Sequence, residues 1–326
     1  MTRETLSILL GDDHAAAAAV VAEVAQGIPG LGAPHYLGEG QDFRVFAAGE
    51  HVLRFPKHEH AAAWLAREHA LLGVLAARLD LAVPRHVECL APGALPVPWV
   101  VALRINGTPG HLVERPGDIP GLAAALGRAL ATLHRTPAAD VAAVVAPAAG
   151  HDSWDPIVYR QTVRDDLEAL GGSGDFGARL RDLGLPAERA ALAGAFLAGD
   201  AAPPAAPSSA LRLVHGDLDP EHLLVGPAPR PLVGILDWSD ARFADPARDL
   251  AAVLSWGGAD FLEQALAAYD APLDPEARIR VPFLARCCAI DAFFSTLDDD
   301  PYLHRCALRM LDNAFGLEFE RGASPR

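Results

Sequence analysis

Lysine, methionine and cysteine are scarce in this sequence of 326 residues, which contains one lysine, two methionines and four cysteines. The cysteines form no C-x-x-C pair, so the sequence predicts neither a disulfide framework nor a structural zinc site. We expect the thiols to be reduced and packed among apolar residues. Because Lys57 is the only lysine, any role that requires an ammonium group has a single candidate.

Long apolar runs and a signal-peptide pattern are also lacking. No uncharged stretch is long enough to span a bilayer. In the opening segment, Asp12, Asp13 and Glu23 bracket the apolar run, which does not match the arrangement of a secretory leader. We therefore expect a cytoplasmic protein that has no membrane partner.

Basic charge is outweighed by acidic charge. There are 42 acidic and 27 basic residues, for a formal net charge of -15 and a sequence pI of about 5.2. Nucleic acids and anionic surfaces are bound through basic patches, so this composition predicts no nucleic-acid partner. It would suit a cationic small molecule, although the need for solubility explains the acidity equally well.

The distribution of patterns along the chain predicts the fold class. The first third is rich in strand patterns, and the remainder is mostly helical. Strands are predicted at 36–37, 44–47, 51–55 and 97–103, and helices at 13–26, 60–79, 119–135, 155–171, 186–198 and from 246 onward. We predict an α+β fold with two lobes: a small β-rich lobe at 1–105 that binds nucleotide, and a larger, mostly helical lobe at 106–326.

One stretch of the second lobe, LVHGDLDPEHLLV at 213–225, shows candidate catalytic residues. An apolar run ends at Asp217, His222 follows five positions later, and the chain then turns apolar again. A second apolar strand, in PLVGILDW, ends at Asp237. We predict that this strand and the preceding one, LRLVH, form a small hairpin, so that the three side chains lie close together, where a carboxylate and an imidazole can hold a divalent metal.

The first lobe supplies a matching set of residues in order. A predicted hairpin turn holds Gly38 and Gly40, whose backbone N–H groups could lie over phosphates. Arg54 follows on a strand and Glu68 on the next helix. A glycine turn, a strand cation, a helix glutamate, an H-G-D loop and a strand-end aspartate together follow the plan of kinase phosphoryl transfer.

At these residues the chain resembles the aminoglycoside and macrolide phosphotransferases, which are antibiotic kinases with a protein-kinase-like fold. HGDLDPEH resembles their catalytic loop, ILDWSDARFADPARDL their metal-binding segment, and VLRFPKHEHAAAWLAREHALL their third strand and following helix. The resemblance implies a monomer that transfers phosphate from ATP or GTP to a hydroxyl of a small molecule, with Mg²⁺ as the cofactor. The implied substrate is an antibiotic, and the implied outcome is resistance.

Roles follow from the resemblance position by position. Asp217 matches the catalytic aspartate, and Asp237 with His222 matches the metal ligands, with histidine where most such kinases have asparagine. The implied nucleotide contacts are Gly38, Gly40, Arg54, Glu68, Leu103, Arg104 and Ile105. Arg54 stands where the family has lysine, so we expect it to pair with Glu68 and contact the phosphates, leaving Lys57 solvated.

Other polar residues have either structural or substrate-binding interpretations. We expect His215 to shape the catalytic loop, and Asp245 and Asp249 to cap a helix and tie that loop down. Acidic residues could bind a polyamine acceptor such as an aminoglycoside. The candidates are Asp219, Asp240 and Asp291.

Two alternative functions stay open at this point. The acceptor could be another natural product or metabolite, such as a nucleoside antibiotic. Arginine in place of the usual lysine also suits a nucleotide-binding pseudokinase without turnover.

Overall fold

The computed structural model describes residues 8–26, 28–40, 42–90, 98–145, 155–171, 174–199, 210–297 and 300–316, with the backbone alone at 88–90. These residues divide into two compact units. The first contains those up to Asn106 together with Ala143–Val145 and Ile235–Ser239, and the second contains the others. The predicted boundary after residue 105 separates a nucleotide-binding lobe from a larger, mostly helical lobe, and this assignment stays a prediction.

A five-stranded antiparallel sheet with the order β1-β2-β3-β5-β4 dominates the first unit. On one face of it, Phe55 stacks on Trp99 with ring centroids 4.9 Å apart, and the buried Phe46 meets Phe55 edge to face. Alternation along β3 therefore places Arg54 on the opposite face. The elements are α1 (His14–Val24), β1 (His35–Glu39), β2 (Phe43–Ala48), β3 (His51–Pro56), α2 (Glu59–Leu75), β4 (Arg85–Leu90) and β5 (Trp99–Leu103).

Three details of the first unit differ from the sequence-based expectations. Strand β4 was not predicted, because charged residues interrupt its apolar pattern. Helix α2 ends at Leu75, four residues before its predicted end. Trp64 lies among the apolar residues of the helix predicted at 60–79, but it is 37% exposed and meets His58 edge to face.

The second unit is mostly helical. Within the described ranges, no helix is long and apolar enough to cross a membrane. Helix α8 is broken at Gly258, which has φ 81° and ψ −178°, so it consists of two helical arms. The helices are α3 (Leu122–His134), α4 (Ala138–Val141), α5 (Pro156–Ala169), α6 (Phe176–Asp182), α7 (Ala187–Ala198), α8 (Ala247–Ala268), α9 (Ala277–Ser295) and α10 (Pro301–Phe315).

Two small sheets carry the loop that contains Asp217. Their strands are β6 (Thr108–Pro109), β7 (Arg212–Val214), β8 (Leu223–Val225), β9 (Leu232–Ile235) and β10 (Arg242–Ala244). The predicted hairpin between LRLVH and PLVGILDW is wrong: β7 pairs with β10, and β9 neighbours β8. The reason is that the chain reverses through a short 3₁₀ turn at Pro220–His222, so the strand beside β9 is the LLV that follows the loop.

Cysteines of the second unit are buried thiols, as expected from their apolar surroundings. Cys287, Cys288 and Cys306 are free and at most 5% exposed. Burial raises the pKa of Cys288 and Cys306 to about 11, so these thiols stay protonated at neutral pH. The side chain of Cys89 lies outside the described residues.

Candidate active site

The first unit holds a buried ion pair between Arg54 on β3 and Glu68 on α2. The Arg54 Nη1 donates to both carboxylate oxygens of Glu68, at 3.0 and 2.8 Å. Glu68 is fully buried, and its Oε1 also accepts a hydrogen bond from the backbone N–H of Trp238 at 3.0 Å. The pairing expected between Arg54 and Glu68 is thus present, and the buried carboxylate is compensated by charge and by hydrogen bonds.

The same guanidinium reaches a second carboxylate. Its Nη2 lies 3.4 Å from both oxygens of Asp237, and its Cζ lies 4.3 Å from the centre of the Phe43 ring. Burial alone would lower the pKa of Arg54, but the carboxylates of Glu68 and Asp237 outweigh it and raise the pKa above its usual range. Arg54 therefore stays positively charged, and it forms an ion pair with Asp237, the predicted metal-binding aspartate.

Asp237 has an unusual backbone conformation. Its φ is +52°, and no other non-glycine residue in the described ranges has a positive φ. Its Oδ1 accepts a hydrogen bond from the hydroxyl of Ser239 at 2.8 Å, and its side chain is one-third exposed. A left-handed conformation costs about 1–3 kcal/mol in a non-glycine residue, and such strain concentrates at functional sites. Sequence reasoning could not detect this feature, because aspartate at a strand end usually indicates only a turn.

The second unit holds the loop that carries Asp217. The carboxylate of Asp217 is 37% exposed. Its backbone N–H donates to Nδ1 of the buried His215 at 3.3 Å, which confirms that His215 shapes the loop. Gly216 has φ +86°, and a Cβ there would lie 2.7 Å from the carbonyl oxygen of Asp240. Both the backbone angle and the available space therefore require glycine beside Asp217.

His222 is tied to the same loop. Its Nδ1 lies 2.8 Å from the carbonyl oxygen of Asp217, so Nδ1 carries the proton that is donated there. In the neutral imidazole this tautomer leaves the lone pair on Nε2, the atom that would bind a metal. Among the residues that the structure describes, no group of three or more His, Cys, Asp or Glu side chains is arranged to hold a metal ion.

Asp249 ties the backbone before Asp217 in place. Its fully buried carboxylate accepts hydrogen bonds from the N–H groups of His215 and Gly216, at 2.9 and 3.1 Å. Burial would raise the pKa of Asp249, but the hydrogen bond from His134 and those from the loop lower it. Asp245 accepts from the N–H of Ala247 at 2.9 Å, at the start of α8. The roles predicted for Asp245 and Asp249 are both confirmed.

The three candidate acceptor contacts have different surroundings. Asp240 already forms an ion pair with Arg242 at 2.6 Å, so its charge is compensated within the chain. Asp291 accepts a hydrogen bond from the Tyr159 hydroxyl at 3.1 Å, and burial raises the pKa of its carboxyl. Burial first, and then the charge of Asp217, raises the pKa of Asp219 to about 7.

Two expectations about the glycine hairpin need correction. Gly38 lies within β1, beside a register shift, and not in the turn. Lys57 is only about one-third exposed: its Nζ donates to the carbonyl oxygen of Gly40 at 3.1 Å and lies 3.8 Å from a carboxylate oxygen of Glu39. The backbone N–H of Lys57 pairs with Asp42 at 2.8 Å, so the chain stays beside the turn after Pro56 instead of leaving for solvent.

The connector at 103–105, at the end of β5, forms a hydrogen bond to the hairpin beside it. Leu103 is 36% exposed, but the backbone N–H of Arg104 donates to the carbonyl oxygen of Glu50 at 2.8 Å. That amide already has a hydrogen-bond partner within the chain, so the nucleotide contact expected here would have to use other backbone groups of 103–105.

Comparisons with known proteins place the chain in a family. Residues 35–280 match the model of the phosphotransferase enzyme family abbreviated APH. Viomycin phosphotransferase from Streptomyces vinaceus is 30% identical over 238 residues, which cover 70% of this chain and 75% of that protein. The chain belongs to this phosphotransferase family.

Solved structures of similar proteins confirm the fold. The GDP and kanamycin complex of an APH(2″) enzyme has a TM-score of 0.64 at 23% identity, over 90% of this chain and 97% of that one. Macrolide 2′-phosphotransferase MphH from Brachybacterium faecium has a TM-score of 0.58 at 25% identity, over 90% and 98%. The predicted α+β, two-lobed kinase-like fold is therefore confirmed, and the phosphotransferase acts on hydroxyl groups of small molecules.

The raised pKa of Asp219 predicts a pH dependence of stability in this phosphotransferase. A carboxyl whose pKa rises on folding from 3.8 to about 7 binds its proton more tightly in the folded state. The stability that it contributes therefore falls as the pH rises from about 4 to about 7. We expect Asp219→Asn to melt above the wild type at about pH 8 but not at about pH 4. An equal difference in melting temperature at both pH values would contradict the shift.

Proposed function

We propose that the protein transfers the γ-phosphate of ATP or GTP to a hydroxyl group of a cationic antibiotic, and that this modification confers resistance. The observation that carries the proposal is the buried pair of Arg54 and Glu68, with Asp237 against the same guanidinium. An arginine compensated by two carboxylates is held in one orientation, which suits it to contact phosphate oxygens. The net charge of -15 supports a cationic acceptor.

Each residue has a proposed role in this reaction. Asp217 orients the acceptor hydroxyl and accepts its proton, while Arg54 contacts the phosphates and Glu68 holds Arg54 in place. The glycine hairpin and the connector at 103–105 bind the nucleotide. Asp219 and Asp291 are the remaining carboxylates for a positively charged acceptor, since Asp240 is already paired with Arg242.

We propose Asp237 and His222 as ligands of a divalent cation, because a carboxylate oxygen and an imidazole nitrogen are both donors that such ions accept. The Asp237 carboxylate is partly exposed, and the His222 tautomer leaves its lone pair on Nε2. When bound, Mg²⁺ would neutralise charge on the phosphate groups of the nucleotide. We propose that the protein works as a cytoplasmic monomer.

Phosphate adducts detected by mass spectrometry test the proposal. Viomycin, kanamycin, a macrolide and a nucleoside antibiotic would each be incubated with ATP and with GTP, and Asp217→Asn would serve as the inactive control. We expect an adduct with at least one cationic antibiotic. An adduct with the nucleoside antibiotic alone would replace the proposed acceptor class.

A nucleotide-binding protein without turnover is the second candidate, because arginine stands at the position of the usual lysine. It predicts a nucleotide-dependent rise in melting temperature with no adduct in any of the reactions. Retention of both Asp217 and Asp237 favours the enzyme over this candidate.

Variants at Arg54 test the phosphate contact. We expect Arg54→Ala to lower kcat more than it raises the nucleotide KM, because a charge contact on the transferred phosphate strengthens in the transition state. Arg54→Lys should recover part of the rate, since lysine keeps the charge but loses the planar guanidinium whose two nitrogens contact Glu68 and Asp237. Steady-state kinetics at varied nucleotide concentration measure both parameters.

Lys57→Ala is the matched control for these variants. We expect it to raise the nucleotide KM modestly and to leave kcat almost unchanged, since Nζ contacts the turn at Gly40. If Lys57→Ala were inactive and Arg54→Ala active, the sole lysine would be the phosphate ligand.

A further inference from the structure

A row of buried hydrogen bonds runs from Tyr269 through His134 to Asp249. The Tyr269 hydroxyl lies 2.7 Å from Nδ1 of His134, and Nε2 of His134 lies 3.0 Å from Oδ2 of Asp249. All three are buried, with exposures of 8%, 1% and 0% in that order. Their separations of 135 and 115 positions in the sequence explain why no local pattern reveals them.

The break in α8 makes this arrangement possible. Asp249 lies in the first turn of α8, and Tyr269 directly follows its last residue. In a straight helix the two would be about 30 Å apart at 1.5 Å per residue. Hydrogen bonds of 2.7 and 3.0 Å to one imidazole bring the two side chains within roughly 8 Å. The positive φ of Gly258 breaks the helix and turns the second arm back, so that Asp249 near one end and Tyr269 beyond the other both reach His134.

Hydrogen-bond chemistry assigns a direction to this row. The Asp249 carboxylate can only accept, so Nε2 of His134 must carry a proton and donate it to Oδ2. In the tautomer with a single proton, on Nε2, Nδ1 carries the lone pair and accepts from the Tyr269 hydroxyl. Tyr269 thus fixes the tautomer of His134 that donates to Asp249, much as partners behind metal-bound histidines do.

Asp249 connects this row of hydrogen bonds to the loop that carries Asp217. Its Oδ2 accepts hydrogen bonds from Nε2 of His134 and from the N–H of His215, and its Oδ1 accepts one from the N–H of Gly216. The next residue is Asp217. Rotation of the Asp249 carboxylate would therefore release the two amides that fix the backbone immediately before the proposed proton acceptor.

We propose that His134 and Tyr269 are positioning residues for phosphoryl transfer, acting through the Asp249 carboxylate on the backbone that orients Asp217. The proposal rests on the proposed role of Asp217. A purely structural role for the two residues would lower stability without a localised effect on the loop, so the two interpretations differ in measurable ways.

Three variants and one control test the proposal. Tyr269→Phe removes only the hydroxyl, His134→Leu removes both ring nitrogens, and His134→Gln keeps an amide that can donate to Asp249. Tyr302→Phe is the matched control, because Tyr302 is 57% exposed. The measurements are amide hydrogen exchange of residues 211–218 in the full chain, kcat and nucleotide KM with an accepted antibiotic, and melting temperature.

We expect exchange in 211–218 to become at least about tenfold faster in Tyr269→Phe and His134→Leu, since loss of a buried partner lets the loop open locally. We expect His134→Leu to lower kcat by roughly 10- to 100-fold with nucleotide KM unchanged, because a displacement of ~1 Å at a reacting group can cost about 10²-fold. Tyr269→Phe should lower kcat less than His134→Leu does. His134→Gln should have a higher kcat and slower exchange in 211–218 than His134→Leu.

Three results would overturn the proposal. The first is loop exchange in Tyr269→Phe and His134→Leu equal to that of Tyr302→Phe. The second is faster loop exchange with kcat within twofold of the wild type. The third is an equal loss of kcat in His134→Gln and His134→Leu together with faster exchange throughout the second unit, which would indicate a structural role only. A wild type that modifies no acceptor in the panel would instead overturn the proposed function, and the exchange result would still stand.

Discussion

Replacement of Asp217 by asparagine is expected to lower kcat by about 10²–10⁴-fold, the usual contribution of a positioned proton acceptor. Asparagine keeps the size of the side chain but cannot accept the hydroxyl proton. The loop should keep its shape, because its contacts to His215 and Asp249 use the backbone at Asp217 and Gly216. Initial rates with an accepted antibiotic measure the loss, and the melting temperature should stay close to that of the wild type.

Asp118→Asn is a suitable control for this experiment. Asp118 lies in the same unit, its side chain is 71% exposed, and its interaction is a surface ion pair with Arg115 at 3.7 Å. Surface pairs of this kind contribute little to stability. A rate for Asp217→Asn within tenfold of the wild type, with Asp118→Asn unchanged, would remove Asp217 from the mechanism.

Asp237→Ala is expected to abolish Mg²⁺-dependent turnover, with a loss of about 10²-fold or more, because the proposed anionic ligand of the metal would be removed. The variant should also unfold at a lower temperature, because alanine tolerates a left-handed conformation less well than aspartate does and loses the hydrogen bond from the Ser239 hydroxyl. Asp237→Gly separates the two effects, because glycine adopts a φ of +52° without strain but lacks the carboxylate. We expect it to be as inactive as Asp237→Ala and to melt at a higher temperature.

Activity at varied Mg²⁺ concentration measures the first effect, and thermal unfolding measures the second. His222→Asn is the milder comparison, since asparagine occupies this position in most kinases that the chain resembles. Turnover by Asp237→Gly near the wild-type level would show that the carboxylate is not a metal ligand. A loss in His222→Asn as large as that in Asp237→Ala would assign another role to the imidazole.

Much of the fold was predictable because its elements have strong local patterns. The hairpin of β2 and β3, helix α3 and the loop at Asp217 all combine apolar periodicity with turn residues at their ends. The site residues Arg54 and Glu68 could be paired in advance only through the order of motifs, since 14 positions separate them. Their contact then follows because α2, which carries Glu68, packs against the sheet that contains β3 and Arg54.

Other features depend on tertiary contacts that no local pattern encodes. The pairing of β7 with β10 joins two three-residue strands, which are too short to carry a pairing signal. The positive φ of Asp237 and the row from Tyr269 to Asp249 depend on neighbours that are distant in sequence. Lys57 was misplaced for the opposite reason, because proline predicts the end of a strand whereas the backbone pairing continues one residue beyond Pro56.

The sole lysine has a practical consequence for studying the enzyme. Apart from the α-amino group, Lys57 is the only primary amine, and it lies against the carbonyl oxygen of Gly40 in the glycine hairpin. An amine-reactive fluorophore would therefore label one side chain, at the turn proposed to cover the nucleotide. Its emission would report on occupancy of that turn without any engineered cysteine, and Lys57→Ala would provide the control for label at the α-amino group. The protein thus carries its own attachment point for following nucleotide exchange in real time.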